Sequence, residues 1–255
     1  MALRFASLGS GSSGNGLVVE RGRTRLLLDC GFTIAETTAR LGRLGLAPRD
    51  LAAILVTHEH TDHLGGVARF AKRHAIPVHL TRGTALSLPL DFPASLVRFI
   101  DPHAPFEVEE ILVDPFPVPH DAREPVQFAF GDGDRRLGVA TDLGMSTPHV
   151  EEKLTRCDAL VLECNHDAAM LAGGSYPRAL KERISGRFGH LDNDAAAAIV
   201  AAIDTTRLKH VLAAHLSKEN NRPELARAAL AGALGCEESW VGVATQAEGF
   251  DWRSA

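Results

Sequence analysis

The tightest constraint on this chain is Thr57-His58-Glu59-His60-Thr61-Asp62-His63, which follows directly on the apolar run 52–56. A short apolar run of this kind reads as a buried strand. The motif therefore falls on the loop at that strand's end, where α/β folds commonly carry their chemistry. Imidazole and carboxylate are ligands for zinc-class divalent ions. On an extended backbone His58, His60 and Asp62 point the same way, whereas His63 breaks the alternation and can face a second ion. Backbone geometry opposes closing all four on one tetrahedral ion, so a split between two ions is the natural solution. The bland alternative is a solvated, histidine-rich turn; the HxHxDH spacing is too specific for it.

Further ligands occur where a two-ion site needs them. His120 follows Phe116-Pro117-Val118-Pro119, Asp142 follows Leu137-Gly138-Val139-Ala140-Thr141, and His215 follows His210-Val211-Leu212-Ala213-Ala214. Each stands at the end of an apolar run. Taken singly, His120 reads as a structural histidine and Asp142 as a helix cap or turn residue; taken together, they complete the set.

The chain of 255 residues, 45% of them hydrophobic, can bury a substantial core, and one domain over 1–255 is expected. Its formal net charge of −5 does not announce a nucleic-acid binder, although a local patch and bound ions can reverse the field at a site. Cys30, Cys157, Cys164 and Cys236 are scattered without a CxxC pair, so neither a thiolate site nor a disulfide framework is expected. The first residues turn into Gly/Ser too soon for a signal peptide, and no apolar run is long enough to span a bilayer. The expectation is a cytoplasmic protein with no membrane partner.

Strands are predicted at 3–8, 16–20, 24–29, 52–56, 77–80, 96–100, 106–108, 111–118, 125–130, 135–140, 158–163 and 209–214. Helices are predicted at 34–44, 64–74, 82–88, 148–155, 177–185, 192–203 and 222–233. Pro115, Pro117 and Pro119 suggest an edge strand running into a loop, and 252–255 is expected to fray. Strands in both halves with interspersed helices predict two mixed β-sheets packed face to face and flanked by helices.

The ordered set HxHxDH, His, Asp, His resembles the metallo-β-lactamase superfamily. The resemblance implies an αβ/βα four-layer sandwich with a two-metal site at the edge of its sheets. It implies that His58, His60 and His120 hold one ion, that Asp62, His63 and His215 hold the other, and that Asp142 bridges them. The chain is similar in more detail to the YycJ/WalJ-type branch. The matching pieces are Gly9-Ser10-Gly11-Ser12-Ser13-Gly14-Asn15, Val56 to His63, His120-Asp121-Ala122, Thr141-Asp142-Leu143-Gly144, Glu163-Cys164-Asn165-His166-Asp167, and Ala214-His215-Leu216-Ser217 with Asn220-Asn221. They span nearly the whole chain in the family's order; Cys164 stands where another small residue is expected. That branch implies metal-dependent 5′-to-3′ exonuclease activity on DNA rather than RNA, with two divalent ions, zinc or manganese.

His190, in Gly189-His190-Leu191-Asp192-Asn193-Asp194 before a helix that Asp192 or Asn193 can cap, resembles the proton-donating histidine of tRNase Z-like phosphodiesterases. Asp62, Asp142 and His190 are thus the candidate catalytic residues, the first two through the ions. Two cations lower the pKa of a water between them and clamp an in-line displacement, and His190 would protonate the leaving oxygen. Asn165 and His166, at a strand's end, are candidate substrate contacts. Arg178, Lys181 and Arg183 would form a basic ridge beside His190, and Lys218 and Arg222 follow the last ligand. These are candidate phosphate contacts, and Tyr176 could stack on a base. The 9–15 loop lacks the lysine and helix of a P-loop and reads as a tight turn near the ions. Fold and ions alone do not choose a substrate. The runner-up is a thioester or lactone hydrolase of the glyoxalase II kind; a binding protein with a vestigial fold is disfavoured by seven intact ligands.

Overall fold

The computed structural model describes residues 2–255. Strands β1 (Arg4–Gly9), β2 (Gly16–Arg21) and β3 (Thr24–Leu28) form an antiparallel meander. Helix α1 (Ile34–Arg43) leads to β4 (Ala53–Leu55), α2 (Thr61–Leu64) and α3 (Val67–His74) lead to β5 (Val78–Leu80), and α4 (Arg82–Ala85) leads to β6 (Val97–Phe99). Strands β3 to β6 run parallel.

The second sheet begins with β7 (Phe106–Val108), β8 (Ile111–Pro117), β9 (Val126–Gly131) and β10 (Arg136–Ala140), each antiparallel to the next. Helix α5 (Pro148–Leu154) precedes β11 (Ala159–Glu163). Helices α6 (Ala168–Gly173), α7 (Arg178–Ile184) and α8 (Asn193–Ala202) follow, then β12 (His210–Ala214), α9 (Pro223–Leu234) and β13 (Gly242–Val243). Strands β10 to β13 are parallel. Finally β14 (Phe250–Ser254) returns to pair antiparallel with β1. Each sheet has seven strands, ordered β14-β1-β2-β3-β4-β5-β6 and β13-β12-β11-β10-β9-β8-β7.

Residue alternation assigns the layers. Leu17, Val19, Leu26 and Leu28 face inward against Phe128, Phe130, Leu137 and Val139 of the other sheet. Their neighbours Val18 and Leu27 face outward under Leu41, Val67 and Phe70 of α1 and α3. Leu160 and Leu162 lie under Val150, Ile199 and Leu230 of α5, α8 and α9. Both faces of the central strands are buried, so these strands are apolar throughout rather than alternating. The architecture is the expected α/β four-layer sandwich.

The structure corrects the sequence reading in several places. The helix predicted at 64–74 is split: His60 O accepts from His63 N and Leu64 N, forming α2, before Gly65-Gly66 and α3. Asp62 and His63 therefore lie on a helical turn, not on an extended loop. Helix α6, capped by the Asp167 carboxylate on Met170 N, was not predicted. Instead of fraying, the C-terminal residues build β14, where Trp252 donates to Leu44 O and lies under the Arg4 guanidinium. The prolines of β8 need no edge strand, because β7 pairs only with 111–113 and leaves Pro115 and Pro117 with β9 alone. No helix among the described residues is long and apolar enough to cross a membrane.

Strand polarity positions the candidate residues. Because β2 is antiparallel to both its neighbours, β1 runs in the direction of β3 and β4. In the other sheet β8 likewise runs with β10, β11 and β12. The carboxyl ends of these seven strands carry Ser10–Asn15, Asp29, His58, His120, Asp142, Glu163 and His215. The crevice outside strand carboxyl ends is the usual ligand site of α/β sheets.

Candidate metal centre

The loops at those strand ends are clamped together by backbone contacts. Cys30 N donates to His63 O, and Asn15 N to Asp62 O. A Cβ on Gly31 would lie 1.8 Å from Asp62 O, so only glycine lets the loop after β3 approach the ligand turn. Asp29, Asp142 and His215 all take left-handed backbone conformations, with φ of 60°, 55° and 55°. Such residues cost of order 1–3 kcal/mol each and collect at functional sites.

Four groups of ligand atoms come within 4.8 Å of one another: His58, His60 and His120; Asp62, His63 and His215; His58, His63 and Asp142; and Asp142, Glu163, His190 and His215. All seven sequence-predicted ligands are thus brought together.

Hydrogen bonds select the nitrogen that each histidine turns inward. His63 Nδ1 lies 2.7 Å from Asp29 Oδ2, and His215 Nδ1 lies 2.9 Å from Glu163 Oε1. Both Nδ1 atoms donate outward, which turns Nε2 toward the centre. His58 Nδ1 meets Thr57 Oγ1 at 3.0 Å, and Thr57 in turn donates to Asp29. His120 Nδ1 donates to Gly189 O at 3.0 Å. The inward atoms then crowd together. His63 Nε2 is 2.9 Å from Asp142 Oδ2, His215 Nε2 is 3.3 Å from Asp62 Oδ2, and His120 Nε2 is 3.3 Å from His60 Nδ1. His58 Nε2 and Asp142 Oδ2 are buried without a hydrogen-bond partner. Buried polar atoms left without a partner are costly, and cations bound there would pair them. The residues present therefore fit metal ions, with carboxylates orienting the imidazoles from behind.

Electrostatics agree. Burial holds His58 and His120 below the ordinary histidine range, as neutral ligands. Burial also acts downward on His63 and His215. Asp142 and Asp29 outweigh it for His63, and Asp142, Asp62 and Glu163 raise His215 to about 10. Burial disfavours ionised Asp62 and Asp142, but the surrounding imidazoles hold both below the usual carboxylate range. In the metal-free protein His63 and His215 are thus protonated at neutral pH and must lose that proton to coordinate. Apparent metal affinity is expected to rise with pH up to about 10, where His215 loses its proton, with net proton release on binding below that. Calorimetric titration in two buffers of different ionisation enthalpy measures this; a pH-independent affinity without proton release would contradict it.

His190 Nδ1 donates to Glu163 Oε1 at 2.8 Å and stands 3.5 Å from Asp142 Oδ1. Its side chain keeps 21% of its surface accessible, so Nε2 is the nitrogen left for a substrate. Glu163 accepts also from the backbone of Leu143 and Leu191. One fully buried carboxylate thus sets His190, His215 and the loop carrying Asp142.

The substrate candidates divide. Asn165 is buried and donates to His215 O, supporting a ligand loop. His166 is 1% exposed with Nδ1 unpartnered. The expected ridge on α7 is largely neutralised: Arg178 pairs with Glu182, Arg183 with Asp121, and Lys181 donates to Ala172 O. Two of its three cations are thus charge-paired, whereas Lys181 meets only a carbonyl. Tyr176 is half-buried, whereas Phe188, two residues before His190, is 60% exposed. Lys218 borders a groove of about 270 Å³ with Ser10, Ser12, Ser13 and Ser217, and Ser10 Oγ accepts from His215 N.

Asp29, Glu163, Ser10 and Asn15 are the supporting residues that motif reading left without roles. Asp29 and Glu163 carried a usable signal, since each ends an apolar run as Asp142 does. Asn15 Nδ2 reaches Asp62 Oδ2 at 3.2 Å.

This fold and this ligand set define a metallo-β-lactamase superfamily protein, and the chain belongs to that superfamily: a family model described as "Beta-lactamase superfamily domain" matches residues 24–215. Among solved structures, the metallo-β-lactamase fold protein YhfI from Bacillus subtilis superposes with a TM-score of 0.75 at 16% identity, over 100% of both chains. Within the superfamily the chain groups with the YycJ/WalJ branch. It is 37% identical to exodeoxyribonuclease YycJ of Bacillus anthracis and 32% identical to exodeoxyribonuclease WalJ of Streptococcus pneumoniae, each over 95% of this chain and 92% of the relative.

Proposed function

We propose that this chain is a dinuclear metal-dependent phosphodiesterase acting on DNA as a 5′-to-3′ exonuclease. The observation that carries the reading is the buried Glu163 shared by His190 and His215, which fixes a proton donor beside the ligand set. Relatives named exodeoxyribonuclease over nearly the whole chain support the substrate class.

His58, His60 and His120 would hold one ion, Asp62, His63 and His215 the other, with Asp142 between them. Zinc or manganese suits this donor set. Bound there, such ions supply Lewis acidity and an activated water. The chain's own residues do the rest. Glu163 fixes the His190 ring through Nδ1 and leaves Nε2 to give a proton to the departing oxygen. Asn15 and Ser10 hold the Asp62 turn and the His215 backbone. Lys218 and the serine hydroxyls of its groove would receive phosphate oxygens next to the reacting bond.

The test is cleavage of 5′-labelled and 3′-labelled duplex DNA with added Mn²⁺ or Zn²⁺. Stepwise release from the 5′ end is the expected result. Failure to cleave duplex or single strands of DNA or RNA under either metal, with turnover of a thioester or lactone, would overturn the reading.

A further inference from the structure

Two grooves meet on the α3 side of the molecule. The first, of about 330 Å³, is lined by Glu59, Thr61 and Leu64 of the ligand turn and continues to Arg69, Leu88 and Pro89. The second, of about 660 Å³, shares Ala68, Arg69 and Pro89 with it and runs on past Lys72, Arg73 and Asp91. Together they form a single trough that starts at residues flanking His60 and Asp62 and follows α3 outward.

Its charge is one-sided. Helix α3 has the sequence Val-Ala-Arg-Phe-Ala-Lys-Arg-His, with three cations and no acid. Phe70 and Ala71 are buried against the sheet, while Arg69, Lys72 and Arg73 are exposed. The spacing of Arg69 to Lys72 and Arg73 puts all three on one helix face. Neither Arg69 nor Arg73 has a carboxylate within ion-pairing distance among the described residues, whereas Lys72 is paired with Asp91. Glu59, the carboxylate at the inner end, is engaged by Arg123 N at 2.9 Å. The other side of the inner groove is made by Ser87, Leu88 and Pro89. Unpaired arginines along a trough that begins at the ligand turn match a polymer carrying a phosphate in every repeat.

We propose that this trough is the track for the part of the substrate strand still to be cleaved. Arg69 and Arg73 contact successive phosphates. The eight residues of α3 extend about 12 Å at 1.5 Å per residue, and about three nucleotides span that length at 3.4 Å each. The inference rests on the nuclease reading above and adds the surface along which the strand lies. It also relocates the cationic surface from α7, where the arginines are paired, to α3, where two are free.

The test uses the full-length, metal-loaded protein and a labelled oligonucleotide of at least ten nucleotides. Arg69→Ala/Arg73→Ala is expected to raise KM several-fold. It should also make the dependence of log KM on log salt shallower by about 1.4–1.8, that is 0.7–0.9 for each lost phosphate contact. Asp91→Asn, which releases Lys72, is expected to shift both quantities the opposite way. Melting temperature and metal content should match the parent, and Arg69→Gln/Arg73→Gln serves if the alanine pair melts early. A parent that cleaves DNA while the arginine variants keep its KM and salt slope would overturn the track and leave the nuclease reading intact. A parent that neither cleaves nor binds DNA, measured by fluorescence anisotropy, would overturn both.

Discussion

Replacing Asp142 with alanine is expected to lower turnover by on the order of 10³-fold or more and to reduce the bound metal. A pair of ions contributes several kcal/mol of charge stabilisation, and each 1.36 kcal/mol is tenfold in rate. Asp142 is 2% exposed, and its two oxygens stand 2.9 Å from His63, 3.4 Å from His215 and 3.8 Å from His120. No other carboxylate reaches ligands of both proposed ions. Its removal would take a carboxylate donor from the centre of the ligand set, a loss that outweighs the easier deprotonation of His63 and His215 once Asp142 no longer raises them. The measurements are metal content by mass spectrometry of the desalted protein and single-turnover cleavage rate. A variant that retains the parent's full metal content and turns over within tenfold of it would show that Asp142 is no bridge.

Replacing His190 with alanine is expected to separate chemistry from metal binding. Turnover should fall by about 10²–10⁴-fold, the usual contribution of a positioned general acid, while metal content is unchanged. The separation follows from geometry, because Nδ1 of His190 is committed to Glu163 and the metal-facing lone pairs belong to other residues. The deficit should shrink for a diester whose leaving group is a nitrophenolate, which departs without a proton. If the variant instead loses an ion, His190 belongs among the ligands, consistent with its proximity to Asp142, Glu163 and His215.

The ligands were legible because each ends an apolar run, and that signal survives in sequence. HxHxDH, His120, Asp142 and His215 all lie where strand periodicity stops. The partners that orient them were harder to read, because those contacts join residues far apart in the chain. Asp29 and His63 are 34 residues apart, Glu163 and His215 are 52 apart, and Ser10 reaches across 205 residues to His215 N. Pairing on α7 was hidden for the same reason. Arg183 looks free beside its sequence neighbours, yet its carboxylate partner is Asp121, 62 residues away. Strand β14 was missed because its apolar alternation, Phe250 and Trp252, is only two residues long at the chain's end; pairing with β1 makes it a strand. The turn 61–64 was missed because a four-residue helix has no periodicity to detect.

The two sheets contribute separate halves of the centre. His58, His60, Asp62 and His63 come from the end of β4, and His120, Asp142 and His215 from the ends of β8, β10 and β12. Neither half holds the whole set, so the site exists only after the halves have docked. Contacts of such long sequence separation form late in folding. Competence to bind metal is then a checkpoint on maturation: nascent chains, chains cut short before His215 and half-docked intermediates would all be hydrolytically silent. Activity that switches on only with the finished fold is a built-in safeguard against premature hydrolysis.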